Sequence, residues 1–368
     1  METAERKQVI ESCIQDKLKP VVRKIDAEAL YPFEFMNSLG SAGVFRSQAL
    51  LSETLLRDTD LIERTSTACM TTGFNLWCHL AAATYLRRTD NVYLRQKLLP
   101  LLEEGGLRGG TGLSNPMKFY AGLEKLHLKA KRVAGGYSVS GQLPMVSNLG
   151  TDHWFGIVAS VEEERRIMAF VPCRADRLSM KEKLGYLALN GSATYTCAFD
   201  DVFVPDDWIV SEQADDFVED IRPVFVLYQI PLGLGVTSAA VESIGKAAGR
   251  QGGCNRYLSI QSAEIGDELS RRKEELRRIC LDPNVTAQWS AIVRLRLDTV
   301  LLTLKAVQAD MLHHGGSAYL QASEPSRRLR EAYFLANLTP TVKHLEKMLQ
   351  LMEAQSLSAA PRQREGEP

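Results

Sequence analysis

Residues 183–210 read KLGYLALNGSATYTCAFDDVFVPDDWIV. The stretch opens on Lys183-Leu184-Gly185 and closes on Phe199-Asp200-Asp201-Val202-Phe203-Val204-Pro205. Ala193 to Phe199 is rich in β-branched and aromatic residues and reads as a strand. Pro205 cannot donate to a sheet ladder and ends the pairing. The segment is therefore the exit from a β region into whatever follows it.

Upstream, between about 109 and 212, the signals are short strands. Lys125–Lys131, Gly136–Gly141, His153–Val161 and Ile167–Pro172 alternate or carry β-branched and aromatic side chains, with Arg132-Val133-Ala134-Gly135-Gly136 as a turn. These predict a small antiparallel barrel or sandwich. Residues 1–108 are helical in pattern. The run between Arg64 and Arg87 lacks Asp, Glu, Lys and Arg, which predicts a helix buried on most faces. Downstream, Pro223–Arg250, Gln261–Cys280, Thr286–Leu312 and Arg327–Glu353 predict four helices of an antiparallel bundle over 213–355. The polar tail Ser356–Pro368 is expected to be disordered. The fold class is thus α+β and multidomain: a helical domain, a central antiparallel β-barrel and a four-helix bundle.

Composition narrows the function. In 368 residues, 44 basic side chains nearly balance 45 acidic ones, so no global field favours nucleic acid or an anionic membrane. The N-terminal METAERKQVIESCIQDKLKP lacks the apolar core of a signal peptide, and no apolar run suited to a bilayer is read, which predicts a soluble cytoplasmic protein. The seven cysteines are scattered without C-x-x-C, as expected of reduced thiols. The six histidines form no ligand cluster, so no metal is expected.

The order of domains, with K-L-G followed by F-D-D-V-F-V-P, resembles the acyl-CoA dehydrogenase superfamily over roughly residues 25–350. Gly136-Tyr137-Ser138-Val139-Ser140-Gly141-Gln142 is similar to that family's G-x-Y-x-L-N-G-x-K turn. Met145-Val146-Ser147-Asn148 falls on its W-I-T-N, and Leu113-Ser114-Asn115-Pro116 on its L-T-E-P. The resemblance implies a flavin, FAD or alternatively FMN, contacted at Ser114, Met145, Val146 and Ser147. His314-Gly315-Gly316-Ser317-Ala318-Tyr319 resembles the L-G-G-x-G-Y segment that approaches the cofactor phosphates, which assigns Gly315 and Gly316 there. Arg330-Glu331-Ala332 resembles the R-D-A of the last helix, and Gly235 with Thr237, Ser238, Ala239 and Ala240 matches the small-residue helix of the bundle core. A homodimer or homotetramer is implied, since the family shares cofactor contacts between subunits.

The pattern departs at the chemistry. Counting from Arg330, the catalytic glutamate of Y-E-G-T falls on Thr339, followed by Pro340 and Thr341, the latter matched to a flavin contact. A threonine is no general base near neutral pH. The position that other members use instead is Phe225, beside Val226, with Glu219 and Asp220 as the nearby acids. Met117-Lys118-Phe119-Tyr120 replaces a Gly-rich turn. The catalytic residue is thus unknown, and three readings follow. One is a dehydrogenase acting on the CH–CH bond of an acyl thioester, with an electron-transfer partner. The second is a two-component monooxygenase fed reduced flavin by a reductase, with which Asp152-His153-Trp154 loosely agrees. The third is a degenerate member without turnover.

Overall fold

The computed structural model describes residues 3–161 and 164–359. The chain begins with helices α1 (Thr3–Cys13), α2 (Val22–Ala27), α3 (Phe33–Ser41), α4 (Leu51–Ala68), α5 (Met70–Arg88) and α6 (Leu99–Glu103). Every residue of α5 from Met70 to Leu86 is buried, as its uncharged sequence demands. A β region follows: β1 (Arg108–Thr111), helix α7 (Ser114–Tyr120), then β2 (Leu128–Val133), β3 (Gly136–Val146), β4 (His153–Ser160), β5 (Arg166–Pro172), β6 (Leu178–Glu182), β7 (Tyr195–Pro205) and β8 (Ile209–Ser211).

These strands form one sheet in the order β6-β7-β3-β2-β4-β5-β8, with β1 added in parallel to β4. The expected closed barrel is corrected by this order. β6 pairs only with β7 and β8 only with β5 among the described residues, so the sheet is open. The β2–β3 hairpin turns where the sequence placed it, and Gly135 there takes φ 78°, a left-handed conformation that costs glycine nothing. Alternating residues of β3 and β7, among them Val139, Leu143, Cys197, Phe199 and Val202, face a core belonging to the sheet alone.

The closing helices are α8 (Ala214–Leu227), α9 (Ile230–Ala247), α10 (Ser262–Leu281), α11 (Trp289–His314), α12 (Glu324–Asn337) and α13 (Val342–Ala359). Two expected helices are each divided. The first breaks between Leu227 and Ile230, and the last at Leu338–Thr341, where Pro340 cannot continue a helix. Residues 214–247 are long and apolar enough to cross a membrane, contrary to the sequence expectation. Their most apolar window is 89% buried inside the protein, however, and this is the core of the bundle. Gly235 lets α9 lie directly on α4: a Cβ at that position would sit 2.5 Å from the Glu63 carbonyl oxygen. One continuous apolar core joins the N-terminal helices to the bundle, running from Ile10 through Leu76 and Phe225 to Leu335. Four residues of the tail expected to be disordered, 356–359, belong to α13, and the rest lie outside the described residues.

Candidate active site

β1 and β3 end, and β7 begins, on the side of the sheet that faces α5, α8 and α12. Between them lies a cavity of about 610 Å³. The sheet side contributes Thr111, Met145, Ser147 and Thr194, and Ser114 stands at the start of α7. The bundle side contributes Phe225, Arg330, Phe334 and the Leu338–Thr341 linker. α5 contributes Phe74, Trp77 and Cys78.

The apolar wall is an aromatic cluster. Phe74 and Trp77 stack at 5.3 Å, Trp77 meets Phe225 edge-on at 4.9 Å and Phe74 meets Phe334 at 5.0 Å. Trp77 Nε1 donates to the Phe225 carbonyl oxygen at 3.0 Å, which leaves the indole as a flat surface with its polar atom satisfied. The opposite side carries hydroxyls. Ser147 Oγ lies 2.7 Å from Thr194 Oγ1, which lies 2.8 Å from Ser192 Oγ. Thr111 Oγ1 meets the Tyr85 hydroxyl at 2.7 Å. Ser114 Oγ bonds Thr339 Oγ1 at 3.0 Å, across 225 residues of chain.

The linker holding Thr339 is fixed from beneath. Gln229 Nε2 donates to the Thr339 carbonyl oxygen at 2.9 Å, and Arg296 Nε donates to Gln229 Oε1 at 3.0 Å. Arg296 also reaches the Leu335 carbonyl oxygen and is completely buried. Burial without a nearby acid lowers its pKa from 12.5 to about 9. The Thr341 hydroxyl is buried with no hydrogen-bond partner, although it lines the cavity.

Five of the predicted positions thus meet at one place: Ser114, Met145, Ser147, Thr339 and Thr341. Others do not. Val146 alternates to the far side of β3 and packs in the sheet core. Gly315 and Gly316 follow α11 at the end of the bundle, away from this cavity, with Tyr319 beyond them exposed. Phe225 is in the wall, and Val226 is buried behind it. Glu219 pairs with Arg222 and Asp220 with Arg88 on the outer side of α8, so neither reaches the cavity. His153 is turned toward the loop after β3, its Nδ1 2.8 Å from the Asn148 carbonyl oxygen, and Asp152 pairs with Arg174. His344 is buried against a second, smaller pocket beside Met117 and Trp289. Met117–Tyr120, in place of a Gly-rich turn, is helix.

The wall residues Phe74 and Trp77 were not singled out from the sequence. Their only signal was membership of the charge-free run that forms α5. Thr194 gave no signal beyond its place in the 183–210 stretch. Lys118 and Lys343 also line the cavity, whereas no aspartate, glutamate or histidine does so among the described residues.

No family model matches the chain. It is 25% identical over 190 residues to benzylmalonyl-CoA dehydrogenase of Aromatoleum aromaticum, a match covering 50% of each chain, so the chain spans about half the length of that relative. It is 23% identical over 277 residues to the short-chain-specific acyl-CoA dehydrogenase of Clostridium acetobutylicum, covering 72% of this chain and 70% of that one. Among solved structures, butyryl-CoA dehydrogenase from Megasphaera elsdenii superposes with a TM-score of 0.85 at 14% identity, covering 96% of this chain and 99% of the other. The chain thus shares the acyl-CoA dehydrogenase fold from end to end, and these sequence matches support that superfamily.

Proposed function

We infer that the chain is a flavin-dependent oxidoreductase that acts on the CH–CH bond of an acyl thioester inside this cavity. The observation that carries the reading is convergence: positions matched from distant parts of the sequence to flavin contacts and to the catalytic linker line one cavity. Its volume of about 610 Å³ lies within the usual range for a cofactor or ligand site. The flat aromatic wall, the row of hydroxyls and the orphaned Thr341 hydroxyl suit a planar heterocycle rimmed with polar atoms. FAD is the cofactor proposed, with FMN the alternative.

Ser147, Ser114 and Thr341 would hold the ring edge by hydrogen bonds, while Trp77 and Phe225 keep water from the reacting face. When bound, the flavin accepts two electrons and a hydrogen from the substrate β-carbon. Gly315 and Gly316 lie far from the cavity of their own chain, which agrees with their serving a neighbouring copy's cofactor in a homodimer or homotetramer. An electron-transfer flavoprotein is the proposed partner for reoxidation.

The test is titration of purified protein with FAD, followed by addition of acyl-CoA esters of different chain lengths and α-substituents. Uptake of FAD and bleaching of its visible absorbance by a thioester are expected. A protein with no affinity for FAD or FMN overturns the reading.

A further inference from the structure

Oxidation of a thioester at its α and β carbons needs an electron pair on the α-carbon, and a carboxylate base is the usual means. Among the described residues this cavity has none. Its titratable lining consists of Cys78, Lys118, Tyr186, Arg330, Tyr333 and Lys343. Burial raises both the Cys78 thiol and the Tyr186 phenol, so each keeps its proton near neutrality. Nearby acids are engaged elsewhere. Glu331 accepts from Arg327 and from the Thr71 amide and hydroxyl, and Asp26 binds Arg330 through both oxygens.

What the cavity does offer is cationic donors. Arg330 is neutralised by Asp26, and Lys118 forms an ion pair with Glu124 at 3.6 Å. Lys343, at the start of α13, is exposed and makes no ion pair among the described residues. An anionic substituent on the substrate would therefore meet the Lys343 ammonium and a Lys118 shared with Glu124.

Deprotonation is one of two routes to an α-carbon electron pair. The other is departure of a carboxylate from that carbon as CO2, leaving the bonding pair behind to delocalise into the thioester carbonyl. We propose that the substrates are malonyl-type thioesters, bearing a carboxylate on the α-carbon, and that Lys118 and Lys343, which line the cavity, recognise that carboxylate. The bond between the α-carbon and the carboxylate breaks and CO2 leaves. Its electron pair forms the α,β double bond as the β-hydrogen departs with its own pair to the oxidised flavin, which is reduced by two electrons. No proton leaves the α-carbon, so Thr339 and Phe225 can occupy the two positions where a base would otherwise stand. The apolar aromatic wall favours a step that turns a carboxylate into neutral CO2.

The inference rests on the flavin–thioester reading above, and its test separates the two. Ethylmalonyl and butanoyl thioesters of N-acetylcysteamine are compared, because neither carries the phosphates of coenzyme A that lysines could also bind. FAD-loaded protein is expected to bleach with the ethylmalonyl thioester, releasing one CO2 per flavin reduced, and to bleach about 100-fold more slowly with the butanoyl thioester, a difference of roughly 2.7 kcal/mol in barrier. Calorimetry on the flavin-free protein supplies a readout independent of turnover. The ethylmalonyl thioester is expected to bind more tightly, and Lys343→Met and Lys118→Met each to weaken it about threefold to fivefold, the range of an exposed ion pair, with no change for the butanoyl compound. Comparable bleaching by both thioesters, or bleaching by the ethylmalonyl thioester without CO2, overturns the inference and leaves thioester oxidation standing. Lysine variants that bind both compounds as the parent does overturn the recognition. A flavin-loaded protein bleached by neither thioester overturns both readings.

Discussion

Ser147 illustrates how a single hydroxyl is poised. It directly follows β3, holds Thr194 at 2.7 Å and faces the cavity, so it can turn from one partner to a ligand while Thr194 keeps Ser192. Removing it in Ser147→Ala should weaken FAD binding about fivefold, the value of one net hydrogen bond near 1 kcal/mol, as read by fluorescence titration. His79 makes a different prediction. It is fully buried on α5, accepts from the Gly109 amide at 3.2 Å, and burial lowers its pKa from 6.5 to about 3. The unfolded chain takes up a proton that the folded chain refuses, so stability is complete above pH 6.5 and falls as pH drops toward 3. Between pH 6.5 and 4 this one group should cost roughly 3 kcal/mol. Denaturant midpoints measured across that window should fall less steeply in His79→Gln.

At the scale of elements, two contacts tie α4, α5, α9 and α12 together. The closeness of α9 to α4 depends on Gly235, and Gly235→Ala should destabilise by about 3 kcal/mol in urea unfolding, because the extra methyl meets backbone. Glu331 joins the bundle to the N-terminal helices: it is paired with Arg327 at 2.9 Å and accepts from the Thr71 amide at the start of α5. Glu331→Gln would leave the buried Arg327 guanidinium with only the exposed Glu324 carboxylate as a charged partner, at a cost of about 3 kcal/mol. The sequence made some of this legible. The small residues after Gly235 read as a close-packed helix, and Arg132–Gly136 read as a hairpin turn. The break at Leu338–Thr341 carries a local signal in Pro340, whereas the break at Tyr228-Gln229 carries none, because apolar residues continue across it and only the packing separates the helices. Strands β1, β6 and β8 were missed for a related reason. They are three to five residues long and their pairing comes from distant partners, not from any local alternation.

For the whole molecule, the apolar core shared by α1–α5 and the bundle contrasts with the separate core of the sheet. Calorimetric unfolding should resolve the helical layers melting together, with the sheet distinguishable by near-ultraviolet dichroism of Trp154 and Trp208, which pack edge to face at 5.2 Å. The candidate site was visible in the sequence only through motifs matched one by one. Nothing local reveals that Ser114 and Thr339, 225 residues apart, would touch. The absence of a carboxylate at Thr339 and Phe225 could be read from letters alone, whereas the absence of any substitute acid needed the folded cavity.

A sheet that stops short of closing leaves two borders at which another extended chain could add itself. One border, β8, has three residues, too few to template a partner. The other, β6, ends in the exposed pair Lys181-Glu182, and a stranger aligned there would have to desolvate both charges. Replacing both with valine should convert a well-behaved solution into one that scatters light and binds thioflavin on standing, because the brake against runaway stacking sits in those two side chains.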